Sequence, residues 1–196
     1  MKKILFAGKI ILGVGVLACT MNSCKQEPKQ EDPKEVAEDQ NDAKFEADSI
    51  EDDADFIVDI AEISKADIEI GKLAQQKGMS QEVKNFGKML VEDHTKSLME
   101  VTALAKTKNV TLPATITEMG QNEYNELNEK SGADFDKKFA DMMIDGHQKA
   151  IDKMTTISEK ASDKSLQVWA SNSVSGLTAH LEKAKMLKKE ADKMNN

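Results

Sequence analysis

Three histidines and one aspartate are the residues of this chain whose types and spacing could do chemistry. The 196-residue sequence has only three histidines, and each falls near the middle of a different long helical pattern, on its apolar stripe: His94, His147 and His180. Asp67 has the equivalent position in the one remaining long pattern. Burying an unpaired polar group costs roughly 1 to 3 kcal/mol. We therefore expect these four side chains to meet each other, or a ligand, at one level of a helical bundle.

Three neutral imidazoles and one carboxylate could hold one transition-metal ion, because zinc, copper and iron all accept nitrogen and oxygen ligands. Glu62, Glu92 and Asp93 could add an oxygen from the margins of the layer. Known di-iron bundles use a Glu from each of two helices and a Glu-x-x-His motif from each of the other two. The residues three positions before the histidines are apolar here: Val91, Ile144 and Leu177. The sequence therefore argues against di-iron chemistry.

The same four residues could also form a layer without a ligand. In that case Asp67 accepts hydrogen bonds from the imidazoles and fixes the alignment of the helices. Histidine titrates near neutrality, so such a layer could respond to pH. The sequence favours a non-enzymatic binding or stress-related module, and the alternative is a metal-binding, redox-active bundle protein.

Helical spacing dominates the region that positions these residues. Apolar residues recur at intervals of three and four, the pattern of a helix that packs in a bundle. It predicts helices over about 53–77, 80–108, 114–130, 133–160 and 163–193, of which the third is short. The β-branched alternation typical of strands is absent.

Turn lengths predict how these helices connect. Short turns at 78–80 and 161–163 predict two antiparallel hairpins, and the long segment between them could carry the chain back along the bundle. We expect an all-α, ferritin-like four-helix bundle over residues 54–193, with one long crossover that contains a short helix. In this arrangement the helices over about 80–108 and 133–160 are parallel. An up-down-up-down bundle is the alternative.

The first 53 residues predict export and a membrane anchor. Lys2 and Lys3 precede an apolar run that is too short to span a membrane, which is typical of a signal peptide over residues 1–23. Ser23-Cys24 resembles the lipidation site of bacterial lipoproteins, with Cys19 as the rival site. Residues 24–53 are acidic and poor in apolar side chains, so we expect a disordered tether after the lipidated Cys24. By resemblance to lipoproteins, the absence of aspartate after Cys24 implies the outer membrane.

Composition limits the classes of partner that this chain could bind. Cleavage before Cys24 would change the formal net charge from −8 to −11. A protein that binds nucleic acid needs clustered positive charge, so the sequence argues against a nucleic-acid partner. Both cysteines lie in the first 24 residues, so the predicted bundle has no thiolate ligand or disulfide. The remaining expected partners are the membrane, through the lipid anchor, and an envelope protein or metal ligand.

Several ordered segments resemble a known family. They are Asp67-Ile-Glu-Ile-Gly71-Lys-Leu-Ala74, Val83-Lys-Asn-Phe86, Met89-Leu-Val-Glu-Asp93-His94, Val110-Thr-Leu-Pro113, Gly132-Ala-Asp-Phe135-Asp136, His147 and His180-Leu181. Over about residues 54–190 the chain resembles a bacterial family of exported four-helix domains of unknown function. Its members are often labelled putative outer-membrane proteins and are related in fold to ferritins. The resemblance implies export and a ferritin-like fold, and it implies no activity.

Overall fold

A computed structural model describes residues 31–45 and 48–194. The described residues form six helices and no strand: α1 Pro33–Asp42, α2 Asp48–Lys77, α3 Gln81–Lys108, α4 Glu118–Asn128, α5 Gly132–Lys160 and α6 Lys164–Met194. None of these helices has a stretch apolar and long enough to cross a bilayer. The predicted signal peptide and the two cysteines lie outside the described residues.

Short polar side chains set the ends of the helices. The Ser80 hydroxyl accepts a hydrogen bond from the Val83 amide at 3.3 Å, and the Thr117 hydroxyl accepts one from the Gly120 amide at 3.2 Å. Asn109 ends α3 in the left-handed region with φ 58°, a conformation that asparagine tolerates better than most residues. The four long helices predicted from the spacing are confirmed as α2, α3, α5 and α6.

Contacts between the two hairpins fix the direction of each helix. On α3 and α6, Lys108 bonds Asp163 while Asp93 bonds His180, so these two helices run antiparallel. α2 is antiparallel to α3 across their short turn. It is also antiparallel to α5, because Asp53 near the start of α2 bonds the turn that follows α5. Therefore α3 and α5 run parallel, as the sequence predicts for the helices over about 80–108 and 133–160.

The connection between α3 and α5 travels the length of the bundle and contains the short helix α4. Lys65 of α2 donates to the Pro113 carbonyl at 2.7 Å, and the Thr117 hydroxyl donates to Glu62 at 2.9 Å. Leu127 of α4 is fully buried in the core. The expected four-helix bundle, with one long crossover that contains a short helix, is confirmed.

Two apolar clusters fill the bundle, one toward each end. The first includes Phe86, Phe135 and Phe139, and the second includes Ile57, Ile157 and Leu166. His94, His147 and His180 occupy helix positions between the residues of the two clusters. The polar layer therefore interrupts the core at the middle of the bundle, as the sequence predicts.

Each hairpin supplies a carboxylate that holds the turn of the other. Asp136, near the start of α5, accepts hydrogen bonds from the Met79 and Ser80 amides, both at 2.8 Å. Asp53, near the start of α2, accepts from the Ser162 and Asp163 amides at 2.8 and 2.7 Å. Both aspartates are buried. We call these two arrangements the turn clamps.

Helix α1 lies where the sequence predicts part of a disordered tether over residues 24–53. Asp32 caps it with a 2.8 Å bond from the Lys34 amide, and Pro33 suits the first turn of a helix. Buried Asn41 donates to the Thr111 carbonyl at 3.0 Å and accepts from the Thr111 amide at 2.7 Å. Lys34 pairs with Asp59 and Glu62 of α2. Residues 33–42 are therefore helical, because their polar groups find partners elsewhere in the fold.

Candidate metal centre

All three histidines of the chain meet in the middle of the bundle. His94 of α3, His147 of α5 and His180 of α6 are 4%, 1% and 4% exposed. Each offers one ring nitrogen, and the three nitrogens lie within 4.8 Å of one another. The ring centroids are 5.1 to 5.7 Å apart. The convergence predicted from their positions in the sequence is confirmed as geometry.

A chain of three short contacts runs through two of the imidazoles. His147 Nδ1 lies 2.9 Å from the Met143 carbonyl oxygen of the preceding helical turn. His147 Nε2 lies 3.2 Å from His180 Nδ1. His180 Nε2 lies 2.9 Å from Asp93 Oδ2. The chain thus begins and ends at an oxygen atom, and two ring nitrogens face each other in its middle.

Two neutral imidazoles have too few protons for all three of these contacts to be hydrogen bonds. Each contributes one N–H, and a carbonyl or carboxylate oxygen contributes none. If both rings donate outward, to Met143 and Asp93, two nitrogen lone pairs face each other at 3.2 Å. Reversing either ring only moves the conflict to one of the oxygens. Every assignment of two protons therefore leaves at least one contact between two acceptors.

His94 adds a buried ring nitrogen without a hydrogen bond. Its Nε2 lies 3.3 Å from Asp67 Oδ2, but it has no hydrogen-bond partner among the described residues. The short distance is therefore an electrostatic contact without the alignment of a hydrogen bond. Leaving a buried polar atom unsatisfied costs about 1 to 3 kcal/mol.

Close packing of two helices holds Asp67 beside His94. A Cβ on Gly71 would lie 2.8 Å from the Gly87 carbonyl oxygen, and a Cβ on Gly87 would lie 2.6 Å from the Gly71 oxygen. Only glycine at both positions allows the backbones of α2 and α3 to come this near. Gly71 lies one turn after Asp67, so this contact fixes the height of the carboxylate against α3.

Burial keeps the three imidazoles neutral near pH 7. Burial lowers the pKa of His94 and of His147, and the negative charge of Asp67 opposes this shift without overcoming it. Burial also lowers the pKa of His180, although the hydrogen bond that His180 donates to Asp93 opposes this shift. Neutral imidazole is the form that binds metal ions, so the lone pairs are available.

The spacing of the nitrogens suits a common ion for one pair and requires a small movement for the third. Bonds of about 2.0 to 2.1 Å at tetrahedral angles separate two nitrogen ligands by about 3.3 Å. The His147–His180 contact of 3.2 Å matches that separation. The full set, within 4.8 Å, would have to contract.

The carboxylates named from the sequence fall into two groups. Asp67 lies against His94, and Asp93 bonds His180 directly rather than from the margin. Glu62 instead engages Lys34 and Thr117. Glu92 pairs with Lys88 on the surface at 3.6 Å. The hydrogen bond to the Met143 carbonyl was not predicted from the sequence. Met143 is four residues before His147, and a side chain within a helix commonly bonds the carbonyl at that spacing.

A cleft of about 480 Å³ opens beside the cluster. His94 and His180 line it, together with residues of α2, α3, α5 and α6. Ser97, Ser173 and Gly176 are among its lining residues, and a Cβ on Gly176 would have nothing within 4 Å. Small side chains therefore line the cleft at the level where His94 and His180 border it.

A family model matches residues 35–187. The chain belongs to the family described as Domain of unknown function (DUF4142). The matched region begins within α1 and covers all three histidines, so α1 belongs to the family's region as well. No curated protein and no solved structure matches the chain.

Proposed function

We propose that this domain binds one transition-metal ion through His94, His147 and His180, with Asp67 beside the ion. The observation that carries the proposal is the proton deficit between His147 and His180. An added cation removes the conflict between their facing lone pairs. A proton would do the same, but burial opposes a charged imidazole at both positions.

The hydrogen bonds around the two rings favour a metal ion. Histidine ligands usually donate their second ring N–H to a backbone carbonyl or a carboxylate, which fixes the tautomer and the ring orientation. His147 and His180 have such partners in Met143 and Asp93. Imidazole ligands suit zinc, copper and iron. Asp67 would lower the net charge of a bound divalent ion in this buried layer.

The wider setting proposed for this site is the cell envelope. A signal peptide over residues 1–23 and lipidation of Cys24 would anchor the domain to a membrane, with the outer membrane favoured. There it would act as a non-enzymatic metal-binding or stress-related module, and kinship with ferritins would agree with the single long crossover. Replacing Cys24 with Ser should abolish lipid labelling, whereas Cys19→Ser should leave it intact. The opposite pattern would move the anchor to Cys19.

Metal titration tests the site itself. The full chain with Cys19→Ser and Cys24→Ser has no thiolate to compete, and it should be purified in detergent without a histidine tag. We expect one ion per chain by calorimetry and elemental analysis, and loss of that ion in His147→Leu. Failure to bind zinc, copper, iron and manganese would contradict the proposal. Because the chain has no other histidine, any imidazole signal from the bound ion reports on this cluster.

A matched pair of carboxylate variants separates a role at the site from surface charge. Asp93→Ala removes the hydrogen-bond acceptor of His180, and we expect metal affinity to fall about 10- to 100-fold, as is usual for such outer partners. Glu92→Ala removes the neighbouring carboxylate, which pairs with Lys88 instead, and should leave affinity nearly unchanged. Equal effects would show that only general charge matters.

The ligand-free layer predicts a different result from His147→Leu. If the histidines form an obligatory hydrogen-bonded network, this substitution should cost the metal-free protein several kcal/mol, as breaking buried polar networks does. If the histidines instead form a metal site, the substitution removes the lone-pair conflict, and the metal-free protein should keep or gain thermal stability. A melting curve without metal decides between the two.

A further inference from the structure

The cleft beside the histidines is larger than a path for an ion requires. Its volume of about 480 Å³ is within the range of about 300 to 1,000 Å³ found for pockets that bind small molecules. His94 and His180 are two of its lining residues, so its inner wall includes two of the proposed metal ligands. A molecule in the cleft would therefore lie against the ion.

The lining combines apolar and hydroxyl groups. Ile60, Ile63, Met154 and Leu177 give the apolar part, and the polar part comes from serine hydroxyls and an amide: Ser64, Ser97, Asn172, Ser173 and Ser175. The Ser64 and Ser97 hydroxyls lie 3.2 Å apart and either can donate to the other. Hydroxyls of this kind can donate to or accept from a bound molecule.

The charged groups of the lining already have partners. Asp93 bonds His180, and Glu100 accepts from the Trp169 indole N–H at 2.9 Å. Lys96 lies 3.9 Å from Glu100. Each of these charged groups therefore already has a hydrogen-bond or ion-pair partner, and the lining carries two acidic groups and one basic group. Such a cleft disfavours an anion and offers no unengaged carboxylate to a cation, so it favours an uncharged ligand.

Resting on the metal site proposed above, we infer that this cleft binds a small, uncharged, polar organic molecule that donates one nitrogen or oxygen atom to the ion. Three histidines leave one position of a four-coordinate ion to be filled, and sites that keep such a position use it for water or a substrate. The ligand's apolar part would contact Leu177 and Met154, and its polar groups would reach the serines.

Cobalt(II) in the place of the native ion tests this inference, because its visible absorption reports each change of ligand. The probe is N-methylimidazole, added to the cobalt-loaded full chain in the background without cysteine. We expect a saturable spectral change while one cobalt per chain is retained after desalting. Gly176→Trp should weaken the probe's apparent affinity at least about tenfold, because Gly176 lines the cleft and an indole there can occupy part of its volume. An added Cβ at this position meets no atom within 4 Å.

Gly146→Trp is the matched control. It also replaces a mid-helix glycine whose Cβ would meet nothing within 4 Å, but Gly146 does not line the cleft. It should leave probe binding unchanged. If cobalt binds but its spectrum does not change with the probe, the inference is overturned and the metal site stands. Equal probe binding by the wild type and Gly176→Trp would also overturn the inference. Absence of cobalt binding would instead overturn the metal site itself.

Discussion

The α2–α3 contact and the α3–α6 contact use glycine in opposite ways. At the first, Gly71 and Gly87 bring two backbones so near that a Cβ at either position would overlap the carbonyl oxygen of the other. At the second, Gly176 lines an open cleft, where an added Cβ would have no neighbour within 4 Å. The histidines lie between these two sides. One side fixes a carboxylate against His94, and on the other side His94 and His180 border the cleft.

The largest expected effect, a loss of stability, comes from forcing α2 and α3 apart at the Gly71–Gly87 contact. Gly87→Ala places a Cβ 2.6 Å from the Gly71 oxygen and 2.8 Å from the Ala74 Cβ, so α2 and α3 must separate. We expect the free energy of unfolding to fall by about 1 to 3 kcal/mol, as overpacked cores do. Denaturant unfolding measures it. Metal affinity should fall too, because Asp67 moves away from His94. A variant as stable as the wild type would show that the two backbones do not touch.

The dependence of stability on pH tests the three histidines, which lie between the α2–α3 contact and the cleft. Burial lowers the pKa of all three below the ordinary value of 6.5. At pH values between these lowered pKa values and 6.5, the histidines of the unfolded chain bind more protons than those of the folded chain. Stability must therefore decrease as the pH falls through that interval. In the metal-free protein, we expect the melting temperature to drop by several degrees between about pH 7.5 and about pH 5.5.

The control for this pH effect is the variant with all three histidines replaced by leucine. Burial raises the pKa of Glu38, Asp55 and Glu123, so these groups stabilise the folded state as the pH falls. Without the histidines, the decline in melting temperature should flatten or reverse. An unchanged decline would assign the acid sensitivity to other groups.

The smallest expected effect comes from filling the open side with one methyl group. Gly176→Ala should raise the free energy of unfolding by about 0.5 to 1 kcal/mol, because alanine loses less backbone entropy than glycine in a helix. Gly146→Ala should do the same on α5, since both sites are open. Destabilisation by Gly176→Ala alone would mean that α6 packs closely on α3 at this level.

Most of the fold follows from local signals. The intervals of three and four place α2, α3, α5 and α6, and residues such as Ser80 set their ends. Helix α1 was not predicted, because Lys34 and Asn41 are polar residues whose partners, Asp59 and Thr111, lie far away in the sequence. A composition argument treats such residues as solvated and therefore misses a helix that long-range pairing stabilises.

The site was predictable in its members but not in its hydrogen bonds. Mid-helix position is enough to bring Asp67 and the histidines together. Sequence could not separate Asp93 from Glu92, because neighbouring helix positions differ by about 100° and only the packing of α6 decides which one reaches His180. The proton deficit, which carries the functional proposal, depends on that choice.

The turn clamps have a consequence for how the molecule comes apart. Asp136 closes the turn of the first hairpin and Asp53 closes the turn of the second, so neither hairpin contains the group that completes its own turn. Separating the halves exposes both turns at once and strands two buried carboxylates. The bundle should therefore unfold as one cooperative unit, and an isolated hairpin should fray from its turn.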